Sequence, residues 1–430
     1  MRNLGYLAAL LAMLCVSPAW AQTDGASYDT ASFGGCDSGC DSACGCETDC
    51  CDSSCCDCDR WFLLPQCDCG FNIHGWLNVG YIYNTDDPAS QYNGPYNAVD
   101  RANEFAANQA YLIGEKALPG CGIGIGGRVD VMWGQDFFLA ESIGMEKRPD
   151  GSPHWNGEYY GLAIPQAYFT FGNENFNLQA GHFYSIIGYE GVMAPSNFFY
   201  SKAYSYQFAG PFTHWGAQLN YSPNDCWDLQ VGIHNGWDAV DRTNDRVGLV
   251  AKATYHFCRP GAWTSFGVTT GDEANNPGAI NIPNLTTNRT RYSWIVNLPV
   301  GCNWEYVFHH WYGQQDEGAA RLFTADWYGV DQYLYYTIND CWKAGARFEW
   351  FRDEDGTRVG LNRATNPNDV PFAGDFFSLT FGLNWTPTCN VTIRPEVRVD
   401  WYDGNAATLP YDDGADDQQV MFGIDGIFLF

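Results

Sequence analysis

Between Phe71 and Phe430 two kinds of connection follow each other in strict alternation. The short kind clusters Gly, Pro, Asn or Asp: LPGC at 118, GNEN at 172, SPND at 222, CRPG at 258, PVGC at 299, NDC at 339 and TPTC at 386. The long kind is polar and occupies 84–104, 135–162, 188–211, 236–245, 271–290, 313–325, 352–375 and 403–417. Residues 391–401 typify what lies between them. Val391, Ile393, Val397, Val399 and Trp401 fall on one side of a period-two repeat, and Thr392, Arg394, Glu396, Arg398 and Asp400 on the other. Successive side chains of a strand point to opposite faces, so this is a strand with one oily face and one charged face. Eight long loops and seven short turns separate sixteen such strands, with both ends of the region on the short-turn side.

A soluble sandwich would turn the polar faces to solvent, whereas a membrane barrel turns them onto a lumen. No stretch after the first residues approaches the roughly 18 apolar residues of a membrane helix. An even number of antiparallel strands, with short turns at one rim and long loops at the other, is the layout of bacterial outer-membrane barrels. The oily faces include Val129, Val131 and Trp133, then Trp227, Leu229, Val231 and Ile233, then Phe377, Leu379, Phe381, Leu383 and Trp385. Hydrocarbon offers no water to a free N–H or C=O, so the first strand, FNIHGWLNVGYIY, must pair with the last, DQQVMFGIDGIFLF. The expected fold is therefore all-β: a transmembrane antiparallel barrel of about sixteen strands over 70–430. Sixteen strands enclose an aqueous channel, where eight would be filled by side chains. Residues 326–338, DWYGVDQYLYYTI, lose the alternation, and a bulge is expected there.

In this frame Arg128, Asp130, Arg246, Lys252, Lys343, Arg347, Glu349, Arg394, Glu396, Arg398 and Asp400 take the inward phase and are expected to line the channel. Bases crowd the strands near 341–351 and 390–402, as a basic stave opposite acidic loops such as YDDGADD at 411. Separated charge of this kind orients dipoles and filters ions. Lumen charges that only pair with one another are the competing reading. The third long loop, YEGVMAPSNFFYSKAYSYQFAGP, holds Phe198, Phe199, Tyr200, Tyr204, Tyr206 and Phe208, which are costly to leave in water. It is expected to fold into the barrel and constrict it; packing over the rim or against a neighbouring subunit are the alternatives.

The opening MRNLGYLAALLAMLCVSPAWAQ, with Arg2, an apolar run from Leu4 to Val16 and Ala19-Trp20-Ala21, fits a secretory signal of residues 1–21. Residues 22–69 carry eleven of the chain's 18 Cys among Asp, Ser and Gly, with almost nothing apolar. They are expected to form a disordered periplasmic segment whose thiols make disulfides, within the tail or to neighbours. Soft-metal binding fits less well, without His or clean Cys-x-x-Cys pairs. Cys121, Cys226, Cys258, Cys302, Cys341 and Cys389 each lie at or beside a different short turn. They are expected to line the periplasmic rim, where disulfides would brace it. Apart from Cys15 the cysteines number 17, so one at least stays a thiol or bonds another chain.

With 22 basic against 50 acidic residues, the balance of −28 disfavours nucleic acid as a partner. No G-x-S-x-G elbow, H-E-x-x-H or phosphate loop appears, so no enzyme and no cofactor are expected. His309 and His310 adjoin in a strand and point to opposite faces, which bars joint chelation. Acidic loops could attract Ca²⁺, though no EF-hand spacing is present.

Several stretches carry a resemblance: FNIHGWLNVGYIYN, GRVDVMWGQD, NLQAGHFYSIIGYEGV, FAGPFTHWGAQLNYS and the closing GIDGIFLF. Together the C-terminal 360 residues resemble the putative β-barrel porin-2 (OmpL-like) family of planctomycete-type bacteria. The resemblance implies an outer-membrane location and passive diffusion of small hydrophilic solutes and ions. It supplies no catalytic residues, and the Cys-dense tail stands outside it. Phe422, Phe428 and the terminal Phe430 resemble the signal read by the barrel-assembly machinery. Outer-membrane lipid is the implied surroundings; homo-oligomers and disulfide-linked envelope partners remain open. The rival function is a structural envelope protein cross-linked through its tail, with permeation incidental.

Overall fold

The computed structural model describes residues 61–64, 70–120, 122–149, 151–241, 247–274, 286–316, 324–359, 372–406 and 408–430. Residues 1–21, where a signal is expected, nearly all of the Cys-rich segment, Cys121 and Arg246 lie outside these residues. Sixteen strands follow in chain order: β1 (Phe71–Asn84), β2 (Phe105–Lys116), β3 (Gly124–Gly134), β4 (Gly161–Asn173), β5 (Phe176–Tyr184), β6 (Thr213–Asn224), β7 (Trp227–His234) and β8 (Gly248–His256). The second half is β9 (Trp263–Ala274), β10 (Thr286–Val300), β11 (Trp304–Gln315), β12 (Ala325–Asn339), β13 (Trp342–Asp353), β14 (Gly374–Thr388), β15 (Val391–Gly404) and β16 (Gln418–Leu429). A one-turn helix, α1 (Tyr204–Phe208), sits in the third long loop.

Each strand pairs antiparallel with its chain neighbours, and β1 pairs with β16, from Trp76 opposite Leu429 to Asn84 opposite Met421. The seam is finished by two reciprocal bonds: Gly75 N–H donates to Phe430 C=O and Phe430 N–H to Gly75 C=O, both at 2.9 Å. No strand edge is left open, as a sheet in hydrocarbon requires.

The period-two pattern sorts the two surfaces. Val79, Val231 and Phe381 point outward and are 56%, 55% and 51% exposed. Asp130, Glu349, Arg347, Arg398 and Asp400 point inward and are buried. Outward aromatics pair across strands near both rims, where bilayer interfaces favour them. Trp342 stacks on Trp385 at 5.6 Å near the short turns, and Phe377 on Trp401 at 5.3 Å near the long loops.

Two sequence expectations need correction. The loop expected over 271–290 is shorter, because β9 runs to Ala274 and β10 begins at Thr286. In 326–338 an irregularity does occur, at Ile338, but the phase break expected along the segment does not. β12 keeps unbroken register with β11, its burial alternates, and its one irregularity against β13 falls at the end, between Thr337 and Asn339. Trp327, Tyr333 and Tyr335 are inward-facing aromatics, buried among other aromatic and apolar side chains. An inward oily residue reads as a phase error only when the lumen is taken to be wet throughout. Another bulge occurs in β2. Asn78 pairs with Gln109 and Val79 with Ala107, so Asn108 is the extra residue and turns its buried side chain inward.

Phe381 stands at the middle of the 15-residue β14, on the lipid side. Phe381→Arg should cost about 2–4 kcal/mol. A lowered urea midpoint in a gel-shift assay of folded barrel is the expected readout.

Candidate functional site

The third long loop, residues 185–212 between β5 and β6, runs inside the barrel. Its aromatic residues meet gaps in the wall where inward positions are glycine. A Cβ at Gly80 would come within 2.5 Å of the Tyr200 ring, and one at Gly345 within 2.4 Å of Phe198. At Gly382 it would stand 3.2 Å from Phe199. Tyr204 packs against Tyr96, Phe351 and Phe376, while Phe208 meets Phe351. Tyr206 packs on Phe212. All six aromatics thus leave water, at least in part.

The loop's backbone has few partners of its own, and the wall supplies them. Glu396 accepts the N–H groups of Tyr200 and Ser201 at 2.9 and 3.0 Å. Glu349 accepts that of Tyr204 at 2.6 Å. Guanidiniums serve the carbonyls. Arg394 donates to Ala194 C=O and Asn197 C=O, Arg347 to Ser201 C=O, and Arg398 to Lys202 C=O. Each arginine is also charge-paired: Arg347 with Glu190 and Glu349, Arg394 with Asp425, Arg398 with Asp400 and Glu349. A planar fork with five donors suits this double duty, which an ammonium could not match.

The basic stave is therefore spent on the loop rather than presented to a passing solute. Elsewhere Arg128 pairs with Asp130 and Glu115, and Lys343 with Glu305, while Lys252 lies inward on β8. Phe422 and Phe428 face outward on β16, and Phe430 closes the seam. Cys226, Cys258, Cys302, Cys341 and Cys389 fall at five different short-turn connections, and Cys389 is disulfide-bonded.

Sequence reasoning passed over several residues of the clamp. Gln109 donates to Asp136 and Val192 C=O and accepts the Ala194 N–H. Asn108 bonds the Tyr200 hydroxyl. Glu190 and Lys202 belong to the loop itself. Burial by itself would raise the Glu190 carboxyl, but Arg347, Lys202 and the Ala203 N–H outweigh it and hold the group below its ordinary value. Burial pushes the Lys202 ammonium down to about 8, with Glu190 opposing. Period-two reading could have found Gln109, which stands in phase; Asn108 is hidden by its bulge.

A family model described as putative β-barrel porin-2, OmpL-like, matches residues 70–430. The fold is similar to the outer membrane channel DcaP of Acinetobacter baumannii, at 15% identity and a TM-score of 0.52, covering 84% of this chain and 97% of that one. It is also similar to an anion-selective porin from Comamonas acidovorans, at 9% identity, TM-score 0.54, and 84% and 99% coverage. The trimer form of OmpT from Vibrio cholerae aligns at 8% identity, TM-score 0.53, and 84% and 99% coverage. At such identities the likeness is one of fold. No curated protein sequence matches the chain.

Glu396→Ala should leave two loop N–H groups unpartnered, at a cost of roughly 2 kcal/mol or more. Hydrogen exchange of a peptide spanning 198–203 is expected to speed up roughly 30-fold, at about 1.4 kcal/mol per decade, while the barrel strands keep their protection.

Proposed function

The chain belongs to the putative β-barrel porin-2, OmpL-like family of outer-membrane channels, and from that premise we propose how it selects what passes. Small hydrophilic solutes and ions diffuse through the barrel past the third loop, which sets the width of the passage. The observation that carries this reading is the clamp: loop backbone bonded to Glu349, Glu396, Arg347, Arg394 and Arg398 from two wall strands, β13 and β15. A loop held at so many points narrows the passage permanently. Both chain ends and the short turns face the periplasm, and the long acidic loops face outward, where they draw cations toward the mouth. With the clamp arginines Arg347, Arg394 and Arg398 neutralised by their partners, weak cation preference follows. Association into trimers, as one structural neighbour displays, is compatible with the outward apolar faces.

A second reading concerns the Cys-rich segment. Asn390 holds Trp61 by accepting its N–H at 2.9 Å and donating to its C=O at 2.8 Å, and Trp61 lies over Phe428. Together with the disulfide at Cys389, this supports a tail fastened to the short-turn rim. Cross-linking to envelope neighbours would then be an added structural role, visible as multimers on non-reducing gels that collapse on reduction.

Reconstitution in planar bilayers tests the channel. Deleting residues 195–207 should raise single-channel conductance; an unchanged conductance sinks the constriction. A Lys202 ammonium that titrates at about 8 is charged below that pH and neutral above it. Cation preference, read as reversal potential under a salt gradient, should therefore grow between pH 7 and 9 in the wild type and stay flat in Lys202→Met.

A further inference from the structure

The lipid side of β12 breaks its apolar pattern at mid-depth. Two aromatic pairs mark where the bilayer interfaces fall on β11 and β12. Near the short turns Trp304 packs on Tyr336 at 4.6 Å, and near the long loops Tyr312 stacks on Tyr328 at 6.4 Å. Gln332 shares their outward phase, four residues from Tyr336 and four from Tyr328, and so stands midway between the two girdles. Its outward neighbours are apolar: Val330 and Leu334 along the strand, Phe308 and Phe348 across from it.

Hydrocarbon makes an unpartnered polar group costly. The wall meets that demand only in part. The Tyr306 hydroxyl donates to Gln332 Oε1 at 2.9 Å. The two Nε2–H donors have no partner among the described residues, and the oxygen keeps a second lone pair. Each interface lies about 12 Å away, half of the apolar band, beyond the reach of a glutamine. His310 adds a second polar group to this face. Its ring lies against Tyr292 at 5.7 Å, and no described side chain bonds its nitrogens.

We propose that Gln332 marks the contact between two copies of this chain standing side by side in the membrane. A carboxamide is complementary to its own copy, offering N–H where the other offers C=O. Symmetry supplies the geometry. A two-fold axis along the membrane normal keeps every residue at its own depth, and two-fold dimers are the commonest closed assembly. A group at mid-depth then meets its equivalent, each Nε2–H donating to the other's Oε1. Phe308, Leu334 and Phe348 flank the pair and shield it from lipid. Acyl tails offer no hydrogen bond, so they cannot take the same place. The association concerns the outside of the wall and is independent of what the lumen conducts.

The test uses the full chain, labelled in separate batches with donor and acceptor dyes and mixed in phosphatidylcholine vesicles. Energy transfer is followed as the protein is diluted with lipid. Wild type should show transfer above that of randomly placed barrels, and photobleaching of single assemblies should proceed in two steps. Gln332→Leu should move the dissociation midpoint roughly tenfold toward higher protein density, as the loss of two weak membrane hydrogen bonds would. Gln332→Met should do the same, and decides the matter if the leucine variant fails to fold. Transfer no greater than random in wild type, equal midpoints in wild type and variant, or three bleaching steps overturns the proposal.

Discussion

A backbone N–H or C=O removed from water must find a partner, and this demand acts twice in the molecule. In the wall it is met by closure. β1 pairs with β16, and Gly75 and Phe430 exchange their bonds at the seam. Once the cylinder is closed, every strand has one face for lipid and one for the interior, and charge is confined to the interior. The same demand then reaches the third loop, which enters the barrel without a neighbouring strand. Its N–H groups go to Glu349 and Glu396 and its carbonyls to Arg347, Arg394 and Arg398. The wall's charges thus act as substitutes for a sheet.

Packing completes the seat. Aromatic rings need room, and the wall provides it by omitting side chains at Gly80, Gly345 and Gly382. The bulge at Asn108 adds a polar contact to Tyr200 where regular pairing would have aimed that side chain at lipid. Polar clamps and glycine gaps lie on several strands, so the loop's position is over-determined. Loosening any one contact leaves the others in place.

The architecture was legible in the sequence for a simple reason: both lipid and strand geometry act on it through local rules. Period two, turn chemistry and loop length are each visible within a dozen residues, and they put sixteen strands in their places with errors of a few residues at 271–290. The misreading at 326–338 is instructive. Trp327, Tyr333 and Tyr335 are inward and in phase, but their oiliness answers to a loop more than a hundred residues earlier. The basic stave misled in the same way. Inward placement of Arg347, Arg394 and Arg398 followed from alternation, yet whether they face a solute depends on what stands in front of them.

What the chain's residues determined alone is the cylinder: which side chains meet lipid, which meet the interior, and which connections are long. What only the tertiary structure decided is the interior's chemistry, including the pairing of every clamp arginine. Strand periodicity is a property of neighbours along the chain, whereas the partner of a buried charge is set by folding distant segments into one low-dielectric space. No pattern short of that meeting tells which carbonyl and which carboxylate an inward guanidinium will hold.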